Sequence, residues 1–133
     1  MLVVDSSVWI DFFAGVRHAQ TEQLAELLHH GELRLVVPDL VLYEVLRGFR
    51  HPRDLRQASL LMQGLSIESC VDEDLALLAA EHYRSLRAAG VTVRSSVDVL
   101  VAAFCIERDY VLLHRDRDFD AFHTRRGLKV WTQ

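Results

Sequence analysis

The stretch Met1-Leu2-Val3-Val4-Asp5-Ser6-Ser7-Val8-Trp9-Ile10 decides the fold. Leu2 to Val4 is a short, wholly apolar run without polar alternation, the pattern of a strand covered on both faces, as in a parallel sheet. Asp5 closes the run, and Ser6 or Ser7 can cap a helix through Val8, Trp9 and Ile10. A carboxylate beside an apolar run recurs at Glu44 after Leu40-Val41-Leu42-Tyr43, at Asp98 before Val99-Leu100-Val101, and at Asp116 just past Val111-Leu112-Leu113. An ionised side chain at the edge of a core is costly to desolvate, so several in one fold share a cation or face a water-filled cleft. If these four converge, they form an oxygen-ligand site for a hard divalent metal.

Outward from this stretch, short apolar strands alternate with helical periodicities and no repeat or long linker intervenes, which is the signature of an α/β domain with a parallel sheet flanked by helices. Thr21 to His30 has helical spacing at Leu24, Leu27 and Leu28, and Gly31 stops it. Arg34 to Val37 reads as the second strand. Pro38 reads as the first-turn proline of a helix ending near Gly48, and Pro52 as the start of another reaching about Gly64. Leu65 to Glu68 is a weaker strand. Asp72 caps a long helix that Gly90 closes, with Leu75, Leu78, Ala79, His82, Tyr83 and Leu86 on one face. His82 on that face reads as a structural histidine, whereas His18, His29, His30 and His51 read as surface residues. A helix from about Val97 to Arg108 follows. Val111 to Leu113 and Leu128 to Trp131 supply the last strands, with Asp118-Phe119-Asp120 opening a short turn or helix between them.

The 133 residues, 50% apolar and 26% charged, fit one domain, 1–133, with a single core. The absence of a signal-peptide pattern, and of any apolar run near the roughly 20 residues that cross a bilayer, leads to the expectation of a cytoplasmic protein without membrane contact. Cys70 and Cys105 are too few for a disulfide framework or a zinc site and are expected to be buried, reduced thiols. The net charge is −4, yet Lys129 is the one lysine among 15 basic residues. The others are arginines, the side chain suited to bidentate phosphate contacts, although a common surface residue as well. Glu44 lies one turn before Arg47 and two before Arg50, so one helix can aim a carboxylate inward and its arginines at a phosphate.

Four segments in order then resemble a known family: Val3-Val4-Asp5-Ser6-Ser7-Val8-Trp9-Ile10-Asp11; the Pro38 to Arg47 helix with Glu44; Ser96-Val97-Asp98-Val99-Leu100-Val101-Ala102-Ala103; and Leu112-Leu113-His114-Arg115-Asp116-Arg117-Asp118-Phe119. Together they look like a PIN-domain ribonuclease, and the length resembles the VapC toxin type. The resemblance implies that Asp5, Glu44, Asp98 and Asp116 bind magnesium or manganese, that the protein cuts RNA, and that an antitoxin partner is encoded next door. His114 stands where the family usually has Thr or Ser, and Ser95-Ser96 precede Asp98 where another polar pair is frequent. These departures touch the hydrogen bonding around the site, which orients metal ligands.

The chemistry suits these residue types. Phosphodiester hydrolysis needs an activated water and compensation of charge growing on phosphate, and magnesium supplies both from a cage of hard oxygens. Asp5 and Asp98 are expected to hold the primary metal, with Glu44 and Asp116 completing the site directly or through water, and Ser6 or Ser7 holding a metal-bound water or the phosphate. Asp116 competes with Asp118, which can cap the turn before Phe119, and with Asp120, which reads as solvated. A phosphorylated receiver domain would need a lysine at the end of a late strand, whereas Lys129 opens the last one, and an aspartyl phosphatase would need an Asp-x-Asp after the first strand, where the sequence is Asp5-Ser6-Ser7. The remaining alternative is a catalytically silent PIN-type module that binds RNA or protein. Apolar residues in the Pro38 to Gly64 region, among them Leu40, Leu42, Phe49 and Leu61, lead to the expectation of a homodimer or an antitoxin helix packed there.

Overall fold

At the centre of the sheet lies β1 (Leu2–Val4), buried at every position. The computed structural model describes residues 1–132. In chain order β1 is followed by α1 (Ser6–Phe13), α2 (Ala19–His30), β2 (Leu35–Pro38), α3 (Asp39–Leu46), α4 (Pro52–Gln63), β3 (Ser66–Glu68) and α5 (Glu73–Ala88). Then come α6 (Ser96–Arg108), β4 (Val111–Leu113), a 3-10 turn (Arg117–Phe119), α7 (Asp120–Arg126) and β5 (Lys129–Val130). All strand pairs are parallel, in the order β3-β2-β1-β4-β5. The chain builds outward from β1 to β3 and then returns to the other side of β1. The order therefore reverses between β1 and β4, the place where open α/β sheets leave a crevice at their carboxyl ends.

The boundaries depart from the sequence expectations in small, physical ways. Pro38 is the last residue of β2, extended at φ −61° and ψ 140° and in register with Glu68, so the helix starts one residue later. Asp39 then accepts from the Cys70 amide at 3.0 Å and ties the segment after β3 to α3. His18 is a structural residue: its Nδ1 accepts from the Thr21 amide at 3.3 Å, Thr21 Oγ1 accepts from the His18 amide, and its Nε2 lies 3.0 Å from Asp11 Oδ2. This capping box fixes the entry to α2 against α1. Both cysteines are free and buried, and burial pushes the Cys70 thiol up to about 12.

Trp9, Phe104, Phe119 and Phe122 are the largest fully buried side chains. Trp9 stacks on Phe13 with ring centres 5.8 Å apart, and Phe13 in turn meets Phe49 edge-on. Leu40, Leu42, Phe49 and Leu61 pack half-buried against the same core, so the surplus of apolar residues between Pro38 and Gly64 is partly used within the chain. Elsewhere α5 is fastened to α7, since Arg126 donates through Nε to His82 Nδ1 at 2.8 Å and through Nη1 to Ser85 Oγ at 3.0 Å. Burial and the adjacent guanidinium hold His82 below the usual imidazole range, which keeps Nδ1 an acceptor.

Phe119 sits beneath the turn that carries Asp116 and Asp118, its ring centre 4.9 Å from that of His114. Phe119→Ala is expected to cost about 3–5 kcal/mol, as cavity-forming substitutions of buried aromatics do. Urea unfolding followed by circular dichroism measures it; a loss below about 1 kcal/mol would mean that the turn is not seated on the core.

Candidate active site

Asp5 leaves β1 pinned by its backbone. Its amide donates to the Leu113 carbonyl of β4 at 2.9 Å, while its own carbonyl accepts from the amides of Val8 and Trp9. Its carboxylate Oδ2 accepts from Ser7 Oγ at 2.5 Å and from the Ser7 amide at 3.4 Å. Asp5, in extended conformation, is thus the N-cap of α1, and Ser6 and Ser7 are already helical, contrary to the expectation that a serine caps. The strand hydrogen bond holds Asp5 extended to its last atom, so the first residue free to turn is Ser6. Freed from capping, buried Ser6 donates through Oγ to Glu44 Oε1 at 2.8 Å and joins α1 to α3. The other oxygen of Glu44 is 3.8 Å from the exposed Arg47 guanidinium, which also lies over the Tyr43 ring.

Asp98 enters from the first turn of α6. Ser95 caps that helix by accepting from the Asp98 amide at 3.3 Å, so the carboxylate of the buried Asp98 is not occupied as a cap. Asp116 follows β4: its Oδ1 accepts from the Asp118 amide at 2.9 Å, and its amide donates to His114 Nδ1 at 3.1 Å. Asp116 is therefore the cap of the 3-10 turn, the role expected of Asp118. Because the turn begins at Arg117, the residue before it supplies the cap, and Asp118 is carried round to face Asp98. One oxygen or more from each of Asp98, Asp116 and Asp118 lie within 4.8 Å of one another.

Asp98 feels the charge of the other acids. Burial first, and then the negative charges of Asp5, Asp116, Glu44 and Asp118, push the Asp98 carboxyl up to about 7. Burial also raises Asp5, opposed by its hydrogen bonds from Ser7 and Ser6 and reinforced by Glu44. Burial lowers His114, which suits an unprotonated Nδ1 receiving the Asp116 amide. The sequence reading is completed by Asp118, whose signal was present in the Asp116-Arg117-Asp118 spacing but is ambiguous until the turn is formed. Arg50 is not brought to the carboxylates. It lines an apolar cleft of about 350 Å³ with Ile10, Phe13, Val45 and Phe49. Asp120 is exposed, the first residue of α7.

The donor set fits a hard divalent cation. It offers carboxylate oxygens alone, without a thiol or imidazole among the three closest groups, and such sets select magnesium, calcium or manganese over zinc or copper. Asp98 and Asp5 are raised first by burial and then by neighbouring carboxylates, and a bound cation would oppose both effects by favouring the charged forms.

For the metal-free protein the sign of the pH dependence follows. The stability that depends on neutral Asp98 is fully present below the unfolded value of 3.8 and is lost as pH rises through about 7. Metal-free protein is therefore expected to melt lower near pH 8 than near pH 5, and Asp98→Asn to gain about 1–3 kcal/mol near pH 8 in chelator. Magnesium near pH 8 should raise the wild-type melting temperature and the variant's far less. Equal wild-type stability at both pH values, with no gain in the variant, would contradict the crowding.

Comparison with known proteins agrees with this geometry. Residues 2–123 match the PIN domain family. Ribonuclease VapC11 of Mycobacterium tuberculosis is 31% identical over 120 residues, 90% of each chain. Among solved structures, VapBC2 from Rickettsia felis bound to a promoter DNA fragment superposes with a TM-score of 0.77 at 13% identity, over 99% of this chain and 98% of that one. A toxin-antitoxin complex from Klebsiella pneumoniae gives 0.73 at 15% identity, over 99% and 97%. The chain belongs to the PIN-domain family, among the VapC ribonucleases.

Proposed function

We propose that this protein is a magnesium- or manganese-dependent endoribonuclease acting as the toxin of a toxin-antitoxin pair. The observation that carries the reading is the meeting of Asp5, Glu44, Asp98, Asp116 and Asp118 at the reversal of strand order, where burial and then the neighbouring carboxylates raise Asp98, and burial with a smaller push from Glu44 raises Asp5. Asp5, Asp98 and Asp116 would hold the ion, with Asp118 and Glu44 completing the site directly or through water. When bound, the ion supplies a water nucleophile at neutral pH and offsets the charge that develops on the phosphate.

The chain's other residues position this set. Ser7 holds the Asp5 carboxylate, Ser6 holds Glu44 across from α3, and neutral His114 holds the backbone of Asp116. Arg47, exposed beside Glu44, would grip a substrate phosphate. The antitoxin reading rests on the VapC names of the curated relatives and on the toxin-antitoxin complexes that share the fold. Tyr43 and Leu60 are exposed on α3 and α4, an apolar surface suited to a second copy or to an antitoxin segment. Among the described residues no helix is long and apolar enough to cross a membrane, and the cytoplasm is where such a toxin would meet RNA.

Purified protein is expected to cut RNA with magnesium or manganese and to stop in excess chelator. Asp5→Asn and Asp98→Asn should each lower the rate at least ~100-fold, since each removes a ligand. Full activity in chelator, read on a gel with labelled RNA, would overturn the metal mechanism.

Arg47→Ala separates binding from chemistry. It is expected to weaken RNA binding and to reduce the slope of log affinity against log salt by about 1, while magnesium affinity by calorimetry stays near that of the parent. An unchanged slope would return Arg47 to the role of an ordinary surface arginine.

A further inference from the structure

The run Arg115-Asp116-Arg117-Asp118 places two cations next in the chain to carboxylates of the site. Asp116 is extended, at φ −119° and ψ 129°, so Arg115 and Arg117 stand on either side of it about 6–7 Å apart, the length of two residues of strand. Both arginines are exposed, while Asp116 and Asp118 are half-buried and meet Asp98. Arg17, Arg47 and Arg108 each pair with a carboxylate, and Arg126 bonds His82 and Ser85. Arg115 and Arg117 have acids beside them in the chain, yet among the described residues neither forms an ion pair or lies over an aromatic ring. The reason is local: Asp116 Oδ1 is taken by the Asp118 amide, and both aspartates bring an oxygen to Asp98. Two like charges held side by side without a counter-charge repel each other, and a strand of regularly spaced phosphates relieves that repulsion.

We propose that Arg115 and Arg117 bind two successive phosphates of one RNA strand, beside the phosphate being cut; this rests on the ribonuclease reading above. The scissile phosphate has to reach an ion held by Asp98 and Asp116, and the phosphates that adjoin it in the strand then lie nearest the two residues that flank Asp116. Guanidinium groups suit such contacts, since each offers a planar fork of donors to two phosphate oxygens. The pair also fixes the path of the strand. Arg47 lies beside Glu44, on the helix that follows β2, whereas the run follows β4, and β1 with Asp5 at its end stands between these two strands. An RNA held by Arg47 and by the pair therefore crosses the carboxyl edge of the sheet past Asp5, with phosphates bound on both sides of the cut. Such a crossing selects internal bonds over terminal ones, because a terminal bond forfeits one of the two sets of contacts.

Binding is measured by titrating a short unstructured RNA with one mapped cut onto Asp98→Asn protein, whose slow cutting leaves the RNA intact. In this background Arg115→Gln combined with Arg117→Gln is expected to weaken binding about tenfold and to reduce the slope of log affinity against log salt by about 1.4, as each contact to a single strand contributes about 0.7. A single neutral methylphosphonate, on a 2′-deoxy nucleotide for stability, is then moved along the RNA. With both arginines present it should weaken binding at two adjacent positions on one side of the cut, and at those positions it should cost nothing further in the double variant. The position that Arg47→Ala makes insensitive should lie on the other side. With Asp98 restored, the double variant should raise KM about tenfold at nearly constant kcat, and its magnesium affinity by calorimetry should not fall. An unchanged salt slope, or methylphosphonate losses that persist in full in the double variant, overturns the proposal, and so does a double variant that binds RNA as before but no longer binds the antitoxin. Insensitive positions for Arg47 and for the pair on the same side of the cut overturn the crossing. A wild-type protein that cuts no RNA with either metal refutes the ribonuclease reading instead, and the salt slopes still decide whether the pair holds phosphates.

Discussion

Like charge held at close range is the constraint on which the rest of this structure depends. Two carboxylates about 5 Å apart repel by about 3 kcal/mol at an effective dielectric of 20, and a domain of this size has about 5–15 kcal/mol of total stability. Asp98 faces four other acids, so full ionisation without a counter-charge would consume much of that margin. The fold answers with fixed hydrogen bonds where the chain can supply them. Asp5 receives Ser7, Glu44 receives Ser6, and Asp116 receives the Asp118 amide. Asp98 has no such side-chain partner and lies in the first turn of α6, where the helix dipole favours negative charge by only about 0.3–1 kcal/mol. Its carboxyl is accordingly pushed up to about 7, a shift that a bound cation would oppose.

The sheet makes this crowding possible. Its order reverses between β1 and β4, so the residues after these strands emerge side by side, and the Asp5 amide bound to Leu113 fixes their relative height to hydrogen-bond precision. A register slip between β1 and β4 would move Asp5 away from Asp116 and would also exchange the side chains of β1 between the two covered faces of the sheet, against the packing on each. Strand packing and site geometry are thus enforced by the same contacts. The buried rings of Phe119 and Phe122 do the corresponding work for the segment after β4, seating the 3-10 turn and α7 on the core so that Asp116 and Asp118 return towards Asp98.

Much of this was readable in the sequence because the relevant signals are local or periodic. Leu2 to Val4 and Val111 to Leu113 are strands at the bounds their apolar runs indicate, and Asp72 caps α5 as its position before a helical periodicity implies. The convergence of the four carboxylates follows from strand ends and helix starts in a parallel sheet. What sequence could not fix was the assignment of neighbouring polar residues to neighbouring tasks. Asp5, Ser6 and Ser7 are all competent caps, and only the hydrogen bond of the Asp5 amide to β4 decides among them. Asp116 and Asp118 are likewise both competent, and the start of the 3-10 turn decides. Arg50 is two turns after Glu44 in a continuous helix, but α3 ends at Leu46, so Arg50 follows the chain away from the carboxylates into the apolar cleft near α1. His18 reads as surface because its partner Asp11 belongs to a different helix.

The same sorting of alternating residues resolves the conflict between a net charge of −4 and a polyanionic substrate. Along Arg115-Asp116-Arg117-Asp118 the aspartates are half-buried and the arginines exposed, and neither arginine forms an ion pair with a carboxylate among the described residues. Charge is therefore separated by depth, with anions towards the place for a metal and cations outward. A cation bound to the inner layer would remove the negative field nearest the phosphate, leaving the outer arginines to set the potential that RNA meets first. Overall acidity is then no obstacle, because attraction depends on the charge within about one Debye length, roughly 8 Å, and not on the sum over the whole surface.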